Sequence, residues 1–427
     1  MSDILAQELR LPCGATLPNR LAKAAMTEGL ATSDGVPTPE LERLYGIWSD
    51  GGAGMLLSGN IQVDRYHLER PGNVVIEREP DAEMAAALAS WASAATRNGN
   101  HFWAQISHAG RQTMKNVNPH PKAPSAIKMS LPGGQFGAPV ALTVPEIEDI
   151  VQRFAVAAAA CQAAGFTGVQ IHAAHGYLMS EFLSPRTNQR RDQYGGELAN
   201  RARALLEAVR SVREAVGPAF PVSVKLNSAD FQKGGFAFED SLQVACWLEE
   251  AGIDLIEISG GTYEQPKLLG LEGIEAEEEQ HVARSTLMRE AYFVDFAVAM
   301  QQQVNIPLMV TGGFRRRDAM EQAISSGGAD LVGLGRPMCV DTDAPARLLA
   351  GASELERYEN QLSLFPPWLS LLNRVKMLRS VAGFAVQFWF YAQLDELGRE
   401  GRAAPGMSVF AATRRIMGLQ KRLLASR

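Results

Sequence analysis

Residues 165–203 read GFTGVQIHAAHGYLMSEFLSPRTNQRRDQYGGELANRAR, and this stretch sets how the rest of the chain is read. Between Gly165 and His172, Thr167 to Ile171 alternate as a short, largely buried strand does. His172, His175 and Tyr177 follow at once. In a chain of alternating strands and helices, polar groups gathered just past the carboxyl end of a strand stand where ligands bind, because the strand stops there and the loop opens. One imidazole in such a place is commonly an ordinary loop-root residue. Two imidazoles and a phenol together mark a candidate site.

Working outward, the same alternation recurs on both sides. Strands are expected at Leu21–Met26, Gly54–Ser58, His101–Ile106, Val222–Leu226, Leu255–Ser259, Leu308–Thr311 and Leu331–Gly335, making eight with the first. Helical spacing separates them at Pro39–Asp50, Asp81–Asn98, Pro145–Ala164, Asn200–Val216, Glu239–Ala251, Ala291–Val304 and Arg315–Ser326. Eight strands alternating with helices fit an α/β fold of the (β/α)8 TIM barrel type better than an open doubly wound sheet. The barrel is expected over 1–345, with a C-terminal helical extension over 346–427. Two long connections, Ser107 to Thr143 and Gly260 to His281, both follow strands and so belong to the rim where function-bearing loops gather.

The last two strands run into Thr311-Gly312-Gly313-Phe314 and Gly335-Arg336-Pro337. Each glycine turn alone is a weak signal. On adjacent strands at the end of a barrel they suggest a phosphate site, where backbone N–H groups face an anion and Arg336 adds a charge-assisted contact.

Composition bounds the rest. A chain of 427 residues at 46% hydrophobic and 21% charged is ordinary for a globular protein. A net charge of −6 offers no concentrated positive face for nucleic acid. Cys13, Cys161, Cys246 and Cys339 are scattered without a CxxC pair, which suits a reducing compartment. With no basic start and apolar run at its N-terminus, the chain is expected in the cytoplasm.

The run HAAHGYLMSEFLSP from His172, then N-x-R-x-D-x-Y-G-G from Asn188 to Gly196, then Asn200-Arg201, resembles the old yellow enzyme family of FMN-dependent oxidoreductases. The resemblance implies that His172 and His175 hydrogen-bond the carbonyl oxygen of an unsaturated substrate. It implies that Tyr177 gives a proton to carbon. It assigns the phosphate to FMN, held by Gly312, Gly313, Gly335 and Arg336, and the ring to Ala24, Ala25, Met26 and Thr27, with Gly59, Gln105 and Lys225 around it. Lys225 would face the reduced flavin, or else pair with a rim carboxylate. NADPH or NADH would be the reductant, and electron-poor alkenes such as α,β-unsaturated carbonyl compounds the acceptors. Oxygen, a quinone, a nitro or an azo compound stays open as the real acceptor. The family's longer members carry a cysteine cluster for an iron–sulfur centre and extra nucleotide-binding domains, neither of which is expected here. Gly29 stands where a subgroup has a tyrosine lining the substrate pocket.

Two rival classes stand beside this reading. A metal-dependent hydrolase could use His172 and His175 as ligands, but it needs a third ligand and usually a carboxylate at another strand end. Strand one lacks His-x-His and strand eight ends in Gly335-Arg336, so no metal is expected. A flavin-free binding or scaffold barrel would be colourless. In the extension, the apolar run Val381 to Ala392 is too short to span a bilayer. With the basic residues that follow it, this run points to packing on the barrel or on a second copy of the chain in a homo-oligomer, with peripheral membrane contact as the alternative. His108 and Arg111 are read as loop architecture, and Tyr263 as a residue that either covers the substrate or is a simple loop aromatic.

Overall fold

A computed structural model describes residues 3–129, 131, 134–260, 293–365 and 376–427. Eight parallel strands close on themselves. They are β1 Leu21–Lys23, β2 Met55–Gln62, β3 His101–Ser107, β4 Gly168–Ala173, β5 Val222–Asn227, β6 Leu255–Ser259, β7 Leu308–Thr311 and β8 Leu331–Leu334. Each pairs with the next, and β8 returns to β1 through Val332↔Leu21. The packing helices are α1 Pro39–Asp50, α2 Ala82–Ala95, α3 Val144–Ala163, α4 Leu198–Val216, α5 Phe238–Glu250, α6 Val294–Gln301, α7 Arg317–Ser325 and α8 Ala344–Leu349. Their termini follow local chemistry. Thr143 and Glu146 form a reciprocal capping box at α3, and Asp81 caps α2 by accepting from Met84 N–H.

Among the described residues, the buried apolar ones fall into two clusters. The larger fills the space between barrel and helices. The smaller lies within the barrel, where Met55, Leu57, Trp103, Leu255, Met309 and Leu331 meet Leu9, Leu11 and Leu17 from an N-terminal hairpin. The inner cluster is small because register sets polar rows beside it. Asn60, Gln105 and Gln170 lie side by side on β2, β3 and β4, and His172, Lys225 and Glu257 on β4, β5 and β6.

The structure adjusts several expected bounds. β1 ends at Lys23 rather than Met26, since Ala24 N–H bonds to Leu334 O and the chain then leaves the ladder. β2 runs on to Gln62 through a register shift between Leu57 and Asn60. β4 extends through His172 to Ala173, so His172 is a strand residue held in register with Lys225. The connection expected at Gly260 to His281, and Tyr263 within it, lie outside the described residues apart from Gly260.

The C-terminal segment contributes α9 Lys376–Glu400 and α10 Val409–Ala425. Arg43 on α1 donates to Gly398 O and Arg399 O, both at 2.7 Å, which ties α9 to the barrel. Trp389 is fully buried, with Nε1 donating to Met407 O at 2.7 Å, and Phe390 is buried too. The buried Asp395 pairs with Arg399 at 2.7 Å and Arg415 at 2.6 Å. Trp389 and Phe390 of the aromatic run are therefore engaged in packing within the chain. No helix among the described residues is long and apolar enough to cross a membrane.

Candidate active site

At the carboxyl ends of the strands a cleft of about 410 Å³ opens, lined by residues from the segment after β1, from β2 to β8 and from α9 and α10. That volume lies within the ~300–1,000 Å³ usual for small-molecule sites. His172, His175, Tyr177, Ala25, Met26, Thr27, Gln105, Lys225, Gly312, Gly313, Gly335 and Arg336 all line it. The structure thus gathers residues that lie as much as 311 positions apart, Ala25 and Arg336 at the extremes. Ala24 and Gly59 stand behind that surface. Ala24 is in the inner core. Gly59 donates N–H to Glu28 at 2.8 Å, and a Cβ there would fall 2.2 Å from the Glu28 carboxylate, so that close approach requires glycine.

The two imidazoles are set differently. His172 Nδ1 accepts from Ala174 N–H at 3.2 Å, which puts the proton of the neutral ring on Nε2. His175 sits at φ +62°, held by its N–H to Asn227 Oδ1 at 3.1 Å and by Gln112 Nε2 donating to its carbonyl at 2.6 Å. Its Nε2 lies 2.5 Å from Ser259 Oγ. Burial pushes both pKa values well below the ordinary histidine value, with Lys225 adding to each and His175 adding to His172. Both rings are neutral N–H donors at physiological pH.

Tyr177 is 3% exposed and packs edge-on to His172, ring centroids 4.8 Å apart. Its hydroxyl donates to Glu69 Oε2 at 2.5 Å. The same carboxylate accepts from Thr27 Oγ1 and Asn60 Nδ2. Glu69 therefore ties the segments that follow β1 and β4 to β2 at one point. Lys225 Nζ pairs with the fully buried Glu257 at 2.8 Å. The lysine thus reaches the cleft and has a carboxylate partner as well.

Polar groups remain unspent around the floor. Asn60 Oδ1, Gln170 Nε2 and Thr311 Oγ1 are buried and bonded to nothing among the described residues. Gln105 Nε2 is committed to Gln170 Oε1 at 2.7 Å. At the β7–β8 end Gly313 takes φ +79°, and a Cβ on Gly335 would meet nothing within 4 Å. Arg315 and Arg336 stand beside these turns, both near Glu359, at 2.7 and 3.8 Å. A flat polar ring over the amides, with an anion at the two arginines, fits this donor set. Cys339 also lines the cleft, but burial pushes its thiol up to about 12, so it is no thiolate nucleophile.

Beneath the floor, Lys23 Nζ donates to Leu57 O at 2.6 Å and to Tyr45 Oη at 3.1 Å, and the Tyr45 hydroxyl bonds to Glu28. Burial brings Lys23 down to about 8 and raises Tyr45. Beside the β3 loop, Asp64, His67 and His108 come within ligand distance of one another. His67 Nε2 accepts from Lys122 N–H and His108 Nδ1 from Gly110 N–H. In the neutral rings the protons then face Asp64, where a metal would need lone pairs. His108 is loop architecture, and so is Arg111, whose N–H bonds to Glu181 at 2.9 Å.

Sequence reasoning missed Glu69, Arg70 and Arg315, and it missed Gln387, Phe388, Tyr391 and Leu394 of α9, which wall the cleft. The run Phe314-Arg315 directly after Gly312-Gly313 was a usable signal. For the α9 residues no local signal exists.

Compared with known proteins, residues 13–354 match the family model described as NADH:flavin oxidoreductase / NADH oxidase family. The NADH-dependent flavin oxidoreductase iccE of Talaromyces variabilis is 34% identical over 94% of this chain and 100% of that protein. The NADH-dependent flavin oxidoreductase iliE of Neonectria sp. is 37% identical over 81% of this chain, which spans only 47% of its length. Among solved structures, the old yellow enzyme homologue from Zymomonas mobilis superposes with a TM-score of 0.68 at 25% identity, covering 85% of this chain and 97% of that one. Morphinone reductase in complex with tetrahydroNAD gives 0.65 at 27% identity, covering 82% and 91%.

Proposed function

Because the chain belongs to the NADH:flavin oxidoreductase / NADH oxidase family, that of the old yellow enzymes, we propose that it uses FMN to pass reducing equivalents from NADH to electron-poor alkenes, reducing α,β-unsaturated carbonyl compounds. The observation that carries this reading is the convergence of two neutral imidazoles and a phenol on one face of the cleft, opposite the glycine turns and arginines of β7 and β8. Over the reaction NADH, a proton and the alkene become NAD+ and the saturated product.

FMN would lie with its phosphate at Gly312, Gly313, Gly335, Arg315 and Arg336 and its ring edge on Ala25, Met26, Thr27 and Gln105. When bound it supplies the hydride chemistry. His172 and His175 orient the acceptor by donating to its carbonyl oxygen, and donors fixed before charge develops there are worth a few kcal/mol each. Tyr177 gives its hydroxyl proton to the α carbon. Its hydrogen bond to Glu69 holds the phenol in one orientation. Burial keeps both imidazoles from protonating, and the neighbouring Lys225 adds to this.

The reading is tested by purifying the protein, asking whether it is yellow or takes up FMN, and mixing it anaerobically with NADH and then with enones, quinones and nitro compounds. Bleaching by NADH followed by recolouring with enones supports it. A colourless protein that refuses FMN ends it, and recolouring only by quinones or nitro compounds replaces the alkene as acceptor.

A further inference from the structure

We infer that Arg70 is an anion anchor in the cleft, so that the preferred acceptor carries a carboxylate near its reacting double bond. This rests on the reading of His172, His175 and Tyr177 as the carbonyl end of the same cleft. Arg70 lines the cleft and is only 6% exposed. Its Nε and Nη1 are buried and make no hydrogen bond among the described residues. A guanidinium withdrawn from water without a partner is costly, and the cost falls away when an anion joins it.

The surroundings hold the cation without neutralising it. Its Cζ sits 3.7 Å from the centre of the Tyr391 ring on α9, and it also meets the Tyr391 hydroxyl, while Nε and Nη1 keep no hydrogen-bond partner among the described residues. The space it occupies exists because residue 29 is glycine. A Cβ on Gly29, which takes φ +70°, would lie 3.1 Å from Nε and 3.2 Å from Cζ. The backbone is fixed by Arg70 N–H to Asn73 Oδ1 and Asn73 Nδ2 to Asn60 O, both 3.2 Å.

The neighbouring carboxylate does not consume the charge. Glu69 accepts from Thr27, Asn60 and Tyr177, and its link to Tyr177 sets the Glu69–Arg70 segment beside the phenol. A molecule whose carbonyl meets the imidazoles thus has to one side a cation with two N–H groups unmet by any carboxylate among the described residues. Small unsaturated acids and enones bearing a carboxylate match both ends, and a guanidinium binds a carboxylate through charge-assisted hydrogen bonds.

The flavin-loaded protein is titrated with 4-hydroxybenzoate and with its methyl ester, followed by the flavin spectrum, in wild type, Arg70→Met and Arg70→Lys. The acid should bind wild type about 10- to 100-fold more tightly than the ester, the range a charged hydrogen bond commands. Arg70→Met should erase that preference with ester binding and flavin content unchanged, and Arg70→Lys should restore part of it. Steady-state KM for trans-4-oxo-2-pentenoate should rise by a similar factor in Arg70→Met while KM for its methyl ester holds. Equal binding of acid and ester to wild type, equal loss of both in Arg70→Met, or loss of flavin from that variant overturns the inference. If wild type binds neither phenol, the imidazole assignment falls and takes this inference with it. Binding of the ester alone leaves that assignment standing and removes only the anchor.

Discussion

At the scale of single residues, the decisive contact is the one Tyr177 makes with Glu69, because it fixes the place of the phenol, whose O–H must turn from Glu69 toward the acceptor to give up its proton. Tyr177→Phe keeps the ring against His172 and removes only the hydroxyl. Alkene reduction should slow by about 10²- to 10⁴-fold, the usual contribution of a positioned acid, while reduction of the flavin by NADH keeps its rate. Stopped-flow measurement of the two half-reactions separates them, and equal slowing of both would remove Tyr177 from the proton-donor role. His172, His175 and Tyr177 were legible in the sequence because they fall within six residues at the carboxyl end of one strand. Glu69 and Arg70 were not, since they stand seven and eight residues beyond the end of β2, in a loop with no periodicity of its own. What makes them part of the site is a hydrogen bond to Tyr177, 108 positions away, and a stack on Tyr391.

At the scale of elements, the row His172, Lys225 and Glu257 follows from parallel register across β4, β5 and β6. Lys225 and Glu257 are 6% and 0% exposed at their side chains, so each charge depends on the other. Lys225→Met strands the carboxylate and should cost about 3–5 kcal/mol of stability, whereas the double variant Lys225→Met with Glu257→Gln should recover most of it. Chemical denaturation reads both, and a single variant as stable as wild type would mean that water reaches the pair. Strand positions were readable because buried parallel strands give apolar runs bounded by glycine and proline. Which residues would face one another was not, because register across a barrel depends on closure of all eight strands. The early end of β1 and the register shift in β2 are cases in point. Both arise where Lys23, Glu28 and Tyr45 meet beneath the floor, and no one of their segments announces that meeting.

At the scale of the whole molecule, burial of imidazoles gives the fold a pH dependence. His108, His172 and His175 have pKa values pushed well below the ordinary one, chiefly by burial. The unfolded chain takes up protons near pH 6.5 that the folded one refuses, so stability is complete above that pH and is lost as pH falls through and below it. Each site can contribute at most about 1.4 kcal/mol per pH unit. Urea midpoints of the flavin-loaded protein should drop steadily from pH 7 to pH 5.5, and His108→Asn should flatten the slope. Midpoints independent of pH over that range would show that these rings titrate normally. The barrel could be anticipated because its eight strand signals are local, whereas the place of the C-terminal segment could not, since aromatic content alone does not say which surface it will meet. That segment has a further meaning for how the protein is made and handled. Phe388 and Tyr391 leave the ribosome more than two hundred residues after Tyr177, so a nascent chain assembles its reacting groups long before it owns the chamber that shields them. Trimming or crowding the tail should leave a folded barrel with a draughty, indiscriminate mouth, and a purification tag is best placed at the other end.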